Sequence, residues 1–298
     1  MRREADSLTL FAQNGAAPGR GRRLLSSLRR LYAVPSAAFG ATIVIVFLAL
    51  AIIGPLIAPY EANQQEFQDA RQAPSKAHWF GTDHLGRDVF SRVLLGASEV
   101  LWLSGAGTLL AVLCGTGIGL TSGYLGGWVD ELVMRLFDSL LALPALLLAL
   151  LMLGAIGTSV TSVLFVILVV YTPIVARVVR SAVLSIKTRG FVEVARLQGE
   201  SLGWILFREI LPLVLPTLAV ETALRFSYSI FLVASLGFLG VGVQPPSPNW
   251  GLMVKEARQS VSLTPWALYY PVAAISLLVI SVNLMADGLK RVLQSPVE

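Results

Sequence analysis

The sequence is poor in charge and in the residues that most often hold metals or form disulfides. Only 14% of its 298 residues are charged, whereas 55% are hydrophobic; soluble domains carry roughly 25% charge. A single cysteine, Cys114, excludes an intrachain disulfide framework, and two histidines argue against a zinc cluster. We therefore expect an all-α, multi-pass membrane protein that binds no metal.

Motifs for nucleotide binding and hydrolysis are also missing. The chain has no G-x-x-x-x-G-K-[ST] segment and no Gly-Lys dipeptide, so it cannot form a P-loop. It has neither the H-E-x-x-H zinc pair nor the G-x-S-x-G nucleophile turn. Asp138 and Asp287 lie near the ends of apolar runs beside basic residues, which makes an intramembrane hydrolase a distant alternative. We expect no catalytic residue in this chain.

Apolar runs predict six transmembrane helices. They fall at 37–58, within 100–129, twice within 139–176 with a hairpin near 154–158, at 213–239 and at 266–286. Of the 23 Lys and Arg residues, 16 lie in segments that this topology places inside, which predicts cytoplasmic termini. The expected organisation is a basic tail (1–36), a first span with an outer loop (37–98), a five-span core (99–291) and a short tail (292–298).

Small and charged residues add finer predictions for the core. Glycines recur every fourth residue at Gly115, Gly119, Gly123 and Gly127, a pattern that lets a second helix approach closely. The dipeptide at 126–127 also suggests a turn. Kinks are expected at Pro144 and Pro173, and Asp138 is expected to pair with Arg135 on the same helix.

The outer loop contains the segment HWFGTDHLGRDVFSR at 78–92. We expect a hydrogen-bonded turn in which Arg87 and Arg92 pair with Asp83 and Asp88. A metal site at His84 and the aspartates is the weaker alternative. The residues expected to form this extracytoplasmic motif are Gly81, Thr82, Asp83, Gly86, Arg87 and Asp88.

A polar interruption at 189–212, RGFVEVARLQGESLGWILFREILP, predicts a helix, a glycine turn and a second short helix. Gly199 suits a positive φ at a helix end, and Pro212 suits the first turn of a new helix. Apolar positions are expected at Val192, Ala195 and Leu197 on the first helix, and at Leu202, Ile205 and Leu206 on the second. Taken alone, the pattern also fits a helix that anchors the protein at the membrane surface.

The fifth span holds a charge pair, and a proline-rich segment follows it. Glu221 and Arg225 stand four residues apart, so they can neutralise each other; a role in a substrate path is the second possibility. The segment SLGFLGVGVQPPSPNWG at 235–251 should end the helix at its prolines. Trp250 is expected to act as an interfacial anchor.

These segments carry a resemblance to a known family. Glu193, Ala195, Gly199, Leu211 and Pro212 match the spacing of the E-A-A-x3-G-x9-I-x-L-P loop of ABC-importer permeases, with Val194 and Glu209 as departures. The segments at 80–92 and 235–251 resemble F-G-T-D-x-x-G-R-D-x-x-S-R and S-F-L-G-x-G-x-x-P-P-x-P-x-W-G of the same proteins. Together they resemble the inner-membrane permease subunits of dipeptide, oligopeptide and nickel importers.

The resemblance implies a type I importer permease fold whose cytoplasmic loop, 187–212, couples to an ATPase. The coupling residues that it implies are Glu193, Ala195, Gly199, Leu202, Ile205, Leu211 and Pro212. It also implies a homologous second permease, two ATPase subunits that use ATP and Mg²⁺, an external solute-binding protein and a bacterial inner membrane, with no cofactor bound by this chain and no nucleic-acid partner.

The resemblance leaves the cargo open. Di- or oligopeptides are the first expectation, and nickel chelates, glutathione and opines are the alternatives within the family. In a different class, a stand-alone secondary carrier or channel would use Glu221 and Arg225 as a gate. That alternative leaves the coupling loop unexplained.

Overall fold

The computed structural model describes residue 32 and residues 34–294, so the predicted basic tail lies almost wholly outside the described part. That part is helical apart from its loops. The helices are α1 (Pro35–Ile57), α2 (Val89–Leu125), α3 (Gly127–Leu141), α4 (Ala145–Ile156), α5 (Val160–Ile186), α6 (Gly190–Leu197), α7 (Leu202–Trp204), α8 (Leu211–Leu239), α9 (Trp250–Arg258) and α10 (Pro265–Gln294), with a 3₁₀ turn at Phe67–Asp69 and a π-helical segment at Ile205–Ile210.

Five helices are long and apolar enough to cross a membrane, and a sixth crossing is broken. The five are α1, α2, α5, the continuous stretch Leu202–Leu239 and α10. α3 and α4 pass the same test together but meet at an angle of 89°. Pro144, a predicted kink, precedes α4 at this break. Pro173, the other predicted kink, lies inside α5, which continues past it. The prediction of an all-α fold with six spans is confirmed.

α2 begins much earlier than the apolar run suggested. Its first residue is Val89, so the predicted end of the outer loop at residue 98 falls inside the helix. The first turns of α2 carry Arg92 and Glu99, which made this stretch look like loop. Both side chains find partners in other parts of the chain: Arg92 pairs with Glu256, and Glu99 accepts a hydrogen bond from the Ser247 hydroxyl.

α2 and α5 form a closely packed pair that depends on glycine. A Cβ atom at Gly115 would lie 2.7 Å from Cβ of Val175, and one at Gly123 would lie 3.1 Å from Cβ of Val183. Gly119 approaches the backbone of α5 in the same way. Gly127 does not belong to this face, because α2 ends at Gly126 with a φ of 66°. The glycine stripe is confirmed for three members, and the turn at 126–127 is confirmed as well.

A short turn joins α4 to α5 where the hairpin was predicted. Gly157 takes a φ of 83° after α4, and the Ser159 hydroxyl accepts a hydrogen bond from the Ser162 N–H at 3.0 Å to cap α5. This part of the topology is confirmed.

The ion pairs of α3 differ from the prediction. Arg135 contacts Glu131, one turn before it, at 2.5 Å, whereas Asp138 pairs with Arg177 on α5. The expected pair of Arg135 with Asp138 is therefore wrong. A three-residue spacing permits a pair within the helix, but it does not reveal that α5 offers a competing arginine.

Candidate functional site

The outer end of the molecule is held by four charged residues, which we call the outer clamp: Asp83, Arg87, Arg92 and Glu256. The Arg87 Nε–H donates to Asp83 Oδ2 at 2.6 Å, and its Nη2 donates to Glu256 Oε2, also at 2.6 Å. Arg92 Nη2 lies 3.3 Å from the same glutamate oxygen. The two arginine side chains are 7% and 2% exposed. The clamp thus ties α9 to the start of α2 through buried, hydrogen-bonded charges.

One predicted pair in this region is confirmed and the other is wrong. Arg87 does pair with Asp83. Asp88 does not bind Arg92; its Oδ2 accepts the Ser91 N–H at 2.7 Å and caps α2. Its Oδ1 lies 3.0 Å from His78 Nδ1. Among the described residues, no group of three His, Cys, Asp or Glu side chains is placed to hold a metal ion.

The remaining motif residues shape the turn that supports the clamp. Gly81 and Gly86 take φ values of 70° and 77°, a conformation that favours glycine. The Thr82 hydroxyl accepts the Gln72 N–H at 2.8 Å, and its carbonyl accepts the indole N–H of Trp266 on α10 at 2.8 Å. All six predicted motif residues therefore lie in one folded turn that contacts α2, α9 and α10.

Trp250 corrects another expectation. It is fully buried rather than interfacial, and its Nε1–H donates to the Val93 carbonyl at 2.8 Å. Its ring meets Phe47 edge-on with centroids 5.8 Å apart, and Gly96 leaves room for it on α2. A tryptophan near a helix end has the composition of an anchor, but here its N–H finds a partner inside the protein.

At the other end, residues 190–204 form the predicted helix, turn and helix, which we call the coupling segment. α6 ends at Leu197, and the turn follows at Gly199, whose φ is 77° and whose N–H donates to the Arg196 carbonyl at 3.1 Å. The Ser201 hydroxyl caps α7 by accepting the Trp204 N–H. The second helix is not short, however. It continues through the π segment into α8 without a gap. Pro212, which has no N–H, is the second residue of α8 and thus lies in its first turn, as predicted.

The two faces of α6 have opposite environments. Val192 and Ala195 are buried, at 2% and 4% exposure, in a cluster that includes residues of the π segment. Phe191, Val194 and Leu197 are 38%, 52% and 82% exposed. The spacing of three residues between these last positions puts them on one outward face. Of the three apolar positions predicted for this helix, Val192 and Ala195 are therefore buried, whereas Leu197 is exposed.

The structure divides the seven predicted coupling residues into three groups. Ala195 and Ile205 face the chain's own core, and Leu211 is half-buried; Glu193, Gly199, Leu202 and Pro212 are exposed. Ala195, one of the predicted coupling residues, therefore packs inside this chain and does not lie on the surface of α6. The outward apolar positions Phe191 and Val194 were missed, although their spacing in the sequence was a usable signal.

Glu221 and Arg225 lie beside each other on α8, as the spacing predicted. Glu221 Oε1 is 2.8 Å from Arg225 Nε, but these two buried atoms lack the alignment of a hydrogen bond. The guanidinium carbon lies 4.8 Å from the ring centroid of Tyr228 and 5.9 Å from that of Tyr171. The predicted self-pairing is confirmed, and the two aromatic neighbours are an addition from the structure.

These features define a multi-pass, helical membrane protein, and comparisons with known proteins identify its family. The family model described as "Binding-protein-dependent transport system inner membrane component" matches residues 115–297. A second model, "N-terminal TM domain of oligopeptide transport permease C", matches residues 24–74. The chain belongs to this family of inner-membrane permeases of ABC importers.

Individual relatives cover most of the chain. It is 38% identical over 254 residues to the dipeptide transport system permease protein DppC of Alkalihalophilus pseudofirmus, covering 85% of this chain and 84% of the relative. It is 38% identical over 267 residues to the glutathione transport system permease protein GsiD of Pectobacterium atrosepticum, covering 89% and 87%. Similarity of this extent confirms the expected importer permease and its place in an inner membrane.

Proposed function

We propose that this chain is one of two permease subunits of a short-peptide importer. A homologous second permease completes the pore, and an external binding protein delivers the cargo. Two cytoplasmic ATPases consume ATP and Mg²⁺, so this chain itself is not an enzyme and holds no cofactor. The concentration of Lys and Arg in the inside segments supports cytoplasmic termini.

The observation that carries this proposal is the two-sided environment of α6. Its inner face is fixed to the chain's own core through Val192 and Ala195, while its outer face leaves Phe191, Val194 and Leu197 exposed. A cavity of about 590 Å³ lies beside this helix and is lined in part by Lys187 and Glu193, which gives a partner a concave surface to enter. An exposed apolar helix face next to a cavity is suited to docking a protein partner.

The connection from this surface to the membrane is continuous. α6 packs on the π segment, which runs directly into α8, the helix that holds Glu221 and Arg225. A displacement of α6 by closing ATPases would therefore be transmitted along one helix to mid-membrane. This is the rearrangement that alternating access between outward and inward openings requires.

The proposed cargo is a short peptide with a free carboxylate. The names of the two relatives describe transport of a dipeptide and of glutathione, and glutathione is itself a tripeptide. Purification from native membranes should recover a second permease and P-loop ATPases, and the reconstituted assembly should import peptide only with ATP. Uptake by this chain alone, without ATP, would instead establish a carrier or channel.

A change at the turn tests the coupling role directly. Gly199→Pro should abolish peptide uptake while leaving membrane insertion intact, because proline cannot adopt the φ of 77° found there. Gly199→Asn is the matched control, since asparagine tolerates this conformation; it should keep most of the uptake. Normal uptake by a stably inserted proline variant would contradict the assignment.

A charge on the outer face of α6 tests the docking surface. Leu197→Glu should reduce recovery of the ATPases by about tenfold, because it places a carboxylate in an apolar contact. Gln198→Glu adds the same charge at the neighbouring exposed position. This position lies outside the apolar face formed by Phe191, Val194 and Leu197, so the change should have little effect. Co-purification of the ATPases with each variant measures the difference, and equal recovery would remove α6 as the docking helix.

A further inference from the structure

Arg225 occupies an unusual position for a charged side chain. It lies midway between Leu211 and Leu239, the ends of α8, and thus near the centre of the span. A charge at this depth must face protein or water rather than lipid. The neighbouring Tyr228, one turn further along α8, is 51% exposed on the surface of this chain. Arg225 itself is enclosed by side chains of this protein and is 14% exposed, whereas the site is open at its Tyr228 edge.

The guanidinium is incompletely satisfied. Within residues 34–294 it makes the misaligned contact with Glu221 and the two ring contacts, and no hydrogen bond to any of these residues. A guanidinium offers five N–H donors in a planar fork that fits a carboxylate. Glu221 balances its charge but leaves these donors available, while Tyr171 and Tyr228 hold the group in place from the side.

We propose that Arg225 binds the carboxylate of the peptide cargo midway across the membrane. The inference rests on the peptide-importer function proposed above. Glu221 neutralises the arginine when the site is empty, so that no net charge stands in the membrane. The carboxylate of an arriving zwitterionic peptide replaces this weakly aligned contact with bidentate hydrogen bonds. The ammonium group of the same peptide balances the charge of the released Glu221 carboxylate. The pair is thus an exchangeable counter-ion rather than a fixed structural bridge.

Removing both charges together distinguishes a cargo-binding pair from a purely structural one. In the complete importer in proteoliposomes, with saturating binding protein, Arg225→Gln alone should lower uptake by about tenfold or more, as loss of a charged hydrogen bond implies. The double variant Glu221→Gln/Arg225→Gln leaves no stranded charge. If the pair were structural, uptake would recover in the double variant; we expect it to stay low while the subunit composition stays normal.

The probes are labelled L-alanyl-L-alanine and glutathione, with the comparison made on whichever the unaltered importer takes up. ATP-dependent uptake of neither by the unaltered assembly would refute the proposed function itself. Recovery of uptake in the double variant would overturn only the role of Arg225. Loss of the second permease from the double variant, or its failure to assemble at all, would overturn it too, because the pair would then serve structure or subunit contact.

Accessibility gives an independent readout. With Cys114→Ser as background, Tyr228→Cys should react with an anionic, membrane-impermeant methanethiosulfonate reagent in the assembled importer. Transported peptide should slow this labelling by about tenfold, because the occupied arginine site excludes the reagent. Absence of labelling in every nucleotide state would show that lipid or a subunit covers Tyr228, and this result would contradict a cargo site there. Labelling that peptide leaves unchanged would also count against the site.

Discussion

Two of the arginine–glutamate arrangements among the described residues are largely shielded from solvent and look alike in composition, but they differ in how completely their hydrogen bonds are satisfied. In the outer clamp, Glu256 accepts hydrogen bonds from Arg87 and Arg92, and Arg87 also binds Asp83. In the middle of α8, Glu221 and Arg225 approach to 2.8 Å without the geometry of a hydrogen bond. The arginines of the outer clamp thus donate hydrogen bonds to carboxylates of this chain. Arg225, in contrast, has N–H donors that bind no acceptor among the described residues.

This difference shows that an ion pair in a membrane protein has no single meaning. A buried pair with aligned hydrogen bonds fixes the elements that it joins, and breaking it leaves a charge without compensation. A pair with poor alignment balances charge at low interaction energy, so a ligand can displace one member. The outer clamp joins two helices that are distant in sequence, α2 and α9. Glu221 and Arg225 lie on the same helix, so the contact between them does not join one helix to another.

The largest effect is expected from opening the outer clamp. Glu256→Gln removes the charge shared by two buried arginines and should lower the free energy of unfolding by about 3 kcal/mol. SDS titration of the purified chain in mixed micelles measures this change. Glu61→Gln is the matched control in the loop between α1 and α2, where the residue is exposed and we expect no measurable shift. Equal stabilities for the two variants would mean that the clamp is no stronger than a surface pair.

A smaller effect is expected from disturbing the contact that positions the clamp. A Cβ at Gly96 would collide with the Pro248 carbonyl and lie 2.7 Å from the Trp250 ring, so Gly96→Ala should push α9 and Glu256 away from α2. Overpacking of this kind destabilises by about 2 kcal/mol. Gly117→Ala, on the same helix with open space around it, should be neutral or slightly stabilising. The same SDS titration compares the stabilities of the two variants. An unchanged stability of Gly96→Ala would show that the clamp does not depend on the packing around Gly96.

The sequence was sufficient for features governed by one helix or one apolar run. Span number followed from hydrophobic length, and the glycine stripe followed from a period of four. The turn at Gly199 and the pairing of Glu221 with Arg225 depend on residues close together in the chain. In each case the relevant energy is local, or is a property of the bilayer itself.

Features that depend on distant contacts could not be predicted from the sequence. Arg92 was assigned to Asp88 because no local pattern identifies Glu256 as its partner, 164 residues away. The same limit explains Asp138, whose partner Arg177 lies on α5, and the burial of Trp250. The 89° break between α3 and α4 was underestimated, because proline indicates where a helix is interrupted and not how far it turns.

The smallest effect concerns the contact between α3 and α5, where burial is lower than at the outer clamp. Arg180 binds both carboxylate oxygens of Asp130, each at 2.5 Å, and joins α5 to α3. Because the Arg180 side chain is 31% exposed, solvent screens the pair, and Asp130→Asn should destabilise by only about 1 kcal/mol.

Glu131→Gln provides the matched control for Asp130→Asn, since its pair with Arg135 on the same helix is 61% and 75% exposed. We expect a change of about 0.3 kcal/mol or less for this exposed pair, as is usual for an i, i+4 pair in water. SDS titration of both variants beside Glu256→Gln orders three carboxylates by burial. If Asp130→Asn matched Glu256→Gln, bidentate geometry rather than burial would determine how strongly such a pair holds two helices together.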